Sequence, residues 1–166
     1  MSTARAREEL GPRLEAVAER LRGLSKEPSP TGLTEPDDPS GEQWEWGQVW
    51  AHTAEFPGYW LDQIDRVLAS ATDGPVPFGR VRTDPGRNGA IERDRGTPPP
   101  ELMARIEAQL ERLRAAIEAY TAGDWTRRFA HSTLGEMNLT AVLDTFLVGH
   151  LESHADQLDG LLRGEE

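Results

Sequence analysis

The chain of 166 residues contains no cysteine, so disulfide staples and thiolate metal sites are excluded together. It also lacks any uninterrupted apolar run long enough to span a bilayer. The opening segment MSTARAREEL is polar and charged, without the apolar stretch of a secretory signal. These absences lead us to expect a cytoplasmic protein with no membrane partner. Lysine is almost missing: Lys26 is the only one, and arginine carries the remaining positive charge. Arginine grips carboxylates in a planar, bidentate fashion, but a GC-rich genome would produce the same bias. The formal net charge of −11 argues against general nucleic-acid binding, which depends on Lys and Arg to neutralise phosphates. Histidine is scarce as well. There are four, and the positions of three carry the most information in the chain.

The length suits one domain, covering residues 1–166, with room for a sizeable core. Leu10, Leu14, Val17, Leu21 and Leu24 recur at spacings of three and four and predict a first helix over Thr3 to Leu24. A Pro-, Ser- and Gly-rich stretch follows from Ser25 to Gly41. Ser40 and Gln43 have the spacing of a capping box and would open a second helix. That helix carries Val49, His52, Phe56, Trp60, Ile64 and Val67 along one side and ends near Thr72. Pro57 falls inside it and predicts a kink. Residues 74–97 show no sustained period and read as a long irregular loop. Thr97 then caps a third helix, whose inner face is Leu102, Ile106, Leu110, Leu113 and Ile117. A fourth helix begins near Asn138 or Leu139 and reaches about Leu161. The expected architecture is all-α, a four-helix bundle with a long loop between helices two and three.

His150 and His154 stand one turn apart in GHLESHADQL, on the inner stripe of the last helix. His52 falls on the inner line of the second helix. Buried imidazoles need partners, because an unsatisfied polar group in a core is costly. One shared divalent ion would satisfy all three and keep coordination positions open. The competing reading is three core histidines bonded to acids such as Glu55, Glu152 or Asp156. An HExxH metalloprotease motif is absent. His131, in the loop before the last helix, reads as a capping or surface residue and not as a ligand.

The segment EWGQVWAHTAEF, with GEMNLTAVLDTFLVGHLESHADQL far downstream, resembles the DinB-like superfamily of metal-dependent four-helix bundles. Its more specific relatives are similar to mycothiol-dependent maleylpyruvate isomerases. The family pattern of one histidine in the second helix, H-x-x-x-H in the last, and a following Gln-Leu pair is matched by His52, His150, His154 and Gln157-Leu158. The resemblance implies a metal-binding bundle, often a homodimer, in which three histidines and water hold zinc, nickel or a related ion. It also implies a low-molecular-weight thiol, mycothiol or bacillithiol, that attacks an electrophilic substrate.

The leading expectation is therefore a metal-dependent thiol transferase or thiol-assisted isomerase. A hydrolase using activated water, or a non-catalytic metal-binding or stress-response dimer, stays open. Glu55, one turn from His52, is a candidate general base or support for the metal ligand. Arg80 and Arg82, with Arg87, Arg93 and Arg95, could receive a carboxylate. The alternative is a solvated loop balanced by Asp84, Glu92 and Asp94. Trp44, Trp46, Trp50 and Trp60 read as core.

Overall fold

The computed structural model describes residues 3–38 and 40–164, and the chain is mostly helical with a small three-stranded sheet. In chain order the elements are α1 (Thr3–Leu24), α2 (Trp46–Ala69), β1 (Val76–Phe78), α3 (Pro85–Asp94) and α4 (Pro99–Ala119). They are followed by α5 (Ala122–Trp125), β2 (Arg128–His131) and β3 (Gly135–Asn138). The chain then enters α6 (Leu139–Leu143), a π-helical turn (Asp144–Val148) and α7 (Gly149–Arg163).

Every residue of the apolar stripes expected on α1, α2 and α4 is buried. Burying a leucine side chain is worth about 1.5–3 kcal/mol, so these stripes supply the main drive for the helices to pack. Helix α1 packs on α4 and α7, and α2 packs on the same two. The carbonyls at the C-terminal end of α4 lack a basic residue of their own helix. Arg7 of α1 supplies the cation instead, donating to Ile117 O at 3.1 Å and Tyr120 O at 2.8 Å.

Three expectations about helix ends and loops change. The second helix opens at Trp46 and not after Ser40, because Thr34 holds residue 44 extended. Its N–H donates to Trp44 O at 2.8 Å, and its Oγ1 accepts from Trp44 N–H at 3.0 Å. The capping box is formed by Glu45 and Gln48, whose Oε1 accepts the Glu45 N–H at 2.9 Å. On α4 the N-cap is Pro98 and not Thr97. The interval 74–97 is not irregular, since it contains β1 and α3. The Asp84 side chain caps α3 by accepting the Arg87 N–H at 2.9 Å, and Pro85 occupies the first turn.

At Pro57 the α2 ladder is served by another helix. Gln109 of α4 donates to Ala54 O and accepts from Gly58 N–H, both at 2.6 Å. Those two backbone groups would pair with each other in an uninterrupted helix, so the inserted amide answers the proline.

The sheet departs from the all-helical expectation. Strand β1 pairs in parallel with β2, and β2 pairs antiparallel with β3. Its apolar side chains Phe78 and Phe129 are buried with Trp60 and Phe146. The sheet thus lies beside α2 and the last helix, where it walls the cavity described next.

The last helix begins as expected, with Asn138 Oδ1 accepting the Ala141 N–H at 2.9 Å. Its π turn was not anticipated. Gly149 N–H reaches Asp144 O, five residues back. A Cβ at Gly149 would stand 2.5 Å from that oxygen, so this turn needs glycine. Phe146, Leu147 and Val148 are buried in succession within this turn, before His150 and His154 follow on α7.

Candidate metal centre

His52 enters from α2, and His150 and His154 enter from α7 immediately after the π turn. The three offer ring nitrogens that all lie within 4.8 Å of one another. His52 and His154 are buried and His150 is half-buried. The rings crowd against one another and against aromatic neighbours. Phe56 stacks on His150 with centroids 4.1 Å apart, and Trp44 stacks on His154 at 5.8 Å.

Second partners decide which nitrogen is bare in two of the rings. His52 Nδ1 is 2.9 Å from Glu55 Oε1, a carboxylate that only accepts, so the proton sits on Nδ1. His154 Nδ1 is 2.7 Å from Gln157 Oε1 and donates to it. The Phe146 backbone raises the His150 pKa against the lowering by burial, and His150 Nε2 faces His52 Nε2 at 3.4 Å. His52 and His154 thus each spend one nitrogen on an acceptor and keep the other as a lone pair. This is the usual arrangement around metal-bound histidine. His154 Nε2 is buried and has no hydrogen-bond partner in the protein. An orphaned acceptor in a core is costly, and a cation among the three nitrogens would remove that cost.

Electrostatics point the same way. Burial holds His52 and His150 well below the ordinary histidine value, with the neighbouring imidazoles adding to the effect. Burial brings His154 down to about 4, against the opposing bond to Gln157. The rings are therefore neutral at neutral pH, the form in which imidazole binds a metal. The donor set fits a borderline divalent ion such as zinc or nickel. The three-histidine group can bind a metal ion.

Around the triad lies a cavity of about 430 Å³. Arg80, Arg82 and Arg87 line it, and two of them depart from the solvated-loop reading. Arg80, its side chain only 9% exposed, is ion-paired with Glu55 through Nη2 and rests over the Tyr59 ring at 3.9 Å. Burial raises the Glu55 pKa and Arg80 opposes that rise. Arg87 is buried beside Trp44, bonded to Arg82 O at 3.1 Å and to Glu42 Oε1 at 3.2 Å. Arg82 sits half-exposed at the rim, paired with Asp37 and Ser40. Arg93 and Arg95 do not line this cavity and pair with Asp94, Glu92 and Glu45.

Of the acids weighed as histidine partners, only Glu55 is one. Glu152 pairs with Arg13, and Asp156 with Arg20. Of the five arginines that the sequence offered to a carboxylate, Arg80, Arg82 and Arg87 line the site. His131, expected to be a capping or surface residue, accepts the turn amides of Thr133 and Leu134 and also lines the cavity. The Asp84-Pro85 pair was a usable helix-start signal for α3. Nothing in the local sequence announced the position of His131.

Compared with protein families, residues 5–158 match the model of the DinB superfamily. The match covers most of the chain, and the chain belongs to that superfamily. No curated protein matches it significantly. Among the described residues, no helix is long and apolar enough to cross a membrane.

Proposed function

We propose that this DinB-superfamily chain is a divalent-metal-dependent enzyme of the thiol transferase or thiol-assisted isomerase type. In this reading it forms one domain whose long helices are the family's four-helix bundle, and it works as a homodimer. His52, His150 and His154 are the metal ligands. The observation that carries the proposal is the convergence of three ring nitrogens, two of them on rings whose opposite nitrogen is already bonded and one of them buried without a partner.

When bound, a zinc or nickel ion at this site supplies Lewis acidity and favours the thiolate of a mycothiol- or bacillithiol-like cosubstrate. The chain's own groups prepare the place. Glu55 holds the His52 proton on Nδ1, and Arg80 holds Glu55. Gln157 fixes His154. Trp44, Trp60 and Phe146 offer flat apolar surface to an electrophile, and the arginine-lined wall favours an anion over a cation.

The test is consumption of mycothiol or bacillithiol with chlorodinitrobenzene by zinc- or nickel-loaded protein. Turnover well above that of the His52→Ala protein is expected. No difference between the two removes the thiol-transfer reading, and ester hydrolysis without thiol would replace it with a hydrolase. Sedimentation at micromolar concentration tests the homodimer.

A further inference from the structure

His131 shares the cavity with the triad but stands outside it. Its Nδ1 faces the backbone N–H groups of Thr133 and Leu134, each at 3.2 Å. Backbone amides only donate, so Nδ1 is bare and the proton sits on Nε2. The β2–β3 turn therefore selects one tautomer. Among the described residues, no protein group is bonded to Nε2.

The ring is also fixed from its sides. Phe78, Phe146 and Trp60 surround it, with centroid distances of 5.6, 5.0 and 6.4 Å. Gly79, at φ +92°, passes close behind. A Cβ there would come within 3.0 Å of Trp60 and 3.1 Å of His131. Burial lowers the His131 pKa, so the imidazole is neutral at neutral pH and the turn bonds persist.

His131 borders the triad cavity and also a second hollow lined by Arg66, Pro77 and Ser132, and a neutral donor held there in one orientation is suited to an oxygen acceptor. The wall around it carries Arg80, Arg82 and Arg87, while the lining acids Asp37 and Glu42 are engaged by Arg82 and Arg87. We propose that His131 is a substrate-contacting residue, donating from Nε2 to the carboxylate of a small molecule whose reacting end lies at the triad. This assignment rests on the metal-and-thiol reading above.

Two substitutions separate the two ring nitrogens. His131→Asn keeps an oxygen where Nδ1 accepts the turn amides and removes the cavity donor. His131→Gln carries an amide NH₂ out towards the Nε2 position and gives up the turn acceptor. The probes are 3-mercaptopropionate and 1-propanethiol, titrated into zinc-loaded protein by calorimetry. We expect His131→Asn to keep wild-type melting temperature and zinc content. It should bind 3-mercaptopropionate about tenfold more weakly, with 1-propanethiol unaffected. His131→Gln should regain part of that affinity.

Equal binding of both probes to wild type and His131→Asn overturns the assignment, as does an equal loss for both. In parallel, the ¹⁵N resonance of His131 Nε2 in the unmutated protein should shift when 3-mercaptopropionate is added. Its failure to move also overturns the assignment, whatever the variants do. Zinc content of the wild type is measured beforehand, so failure of the metal reading is scored separately. The Nε2 resonance then decides the carboxylate contact on metal-free protein.

Discussion

Arginines on the helical exterior and arginines at the cavity carry the same charge in different surroundings. Arg112 reaches Asp62 and Asp65, each at 2.8 Å, across a half-exposed surface. Arg80 meets Glu55 with both side chains only 9% exposed, and Glu55 in turn meets His52. Water screens the first pair, so it adds little to stability. The second has given up its water, and each member depends on the other. The contrast shows that counting ion pairs says little here. The pair that matters is the one that orients a histidine.

The largest expected effect comes from breaking the buried pair. Arg80→Ala leaves Glu55 without its cation and should cost about 3 kcal/mol or more in urea unfolding. A loss below 1 kcal/mol would place Arg80 with the exterior arginines. Next is Glu55→Gln, which keeps the shape but weakens the hold on His52. Zinc affinity should fall roughly 10- to 100-fold, as when other supporting partners of metal ligands are removed. Unchanged affinity in a competition titration would mean that Glu55 does not support the site.

Gly149→Ala tests whether the π turn sets the positions of His150 and His154. The added methyl would meet Asp144 O at 2.5 Å, so the turn must shift. A destabilisation of about 1–3 kcal/mol together with weaker zinc binding is expected. Full stability and full affinity would show that the turn can relax without consequence. The smallest effect belongs to Arg112→Ala, within about 1 kcal/mol and reduced further by salt. A larger cost would erase the distinction between the two settings.

The long helices were legible because their apolar residues keep a helical period, and the periodic positions on α1, α2 and α4 are buried. His52 was legible for the same reason, as a step of the α2 stripe, and His150 and His154 by their one-turn spacing on the last helix. Helix α3 was not, and its composition explains why. Its buried positions are Arg87, Ile91 and Asp94, a helical spacing with one apolar member. A search for hydrophobic period passes over it. The hairpin was hidden differently, because Phe129 and His131 gain their roles from Phe78, Trp60 and Phe146, which are distant in sequence. The π turn left only an unbroken apolar run, Phe146, Leu147 and Val148, and such a run has several local explanations. His154 illustrates the same limit at the site, where its partner is Gln157 and not the neighbouring acid Asp156.

The central claim is that His52, His150 and His154 bind one divalent ion. Its most direct test is elemental analysis of protein purified without an affinity tag, beside His52→Ala and the double variant His150→Ala/His154→Ala. Near-stoichiometric zinc or nickel in the wild type, lost in both variants while they remain folded, is the predicted result. A wild-type protein that carries no metal and takes up neither added zinc nor added nickel would contradict it.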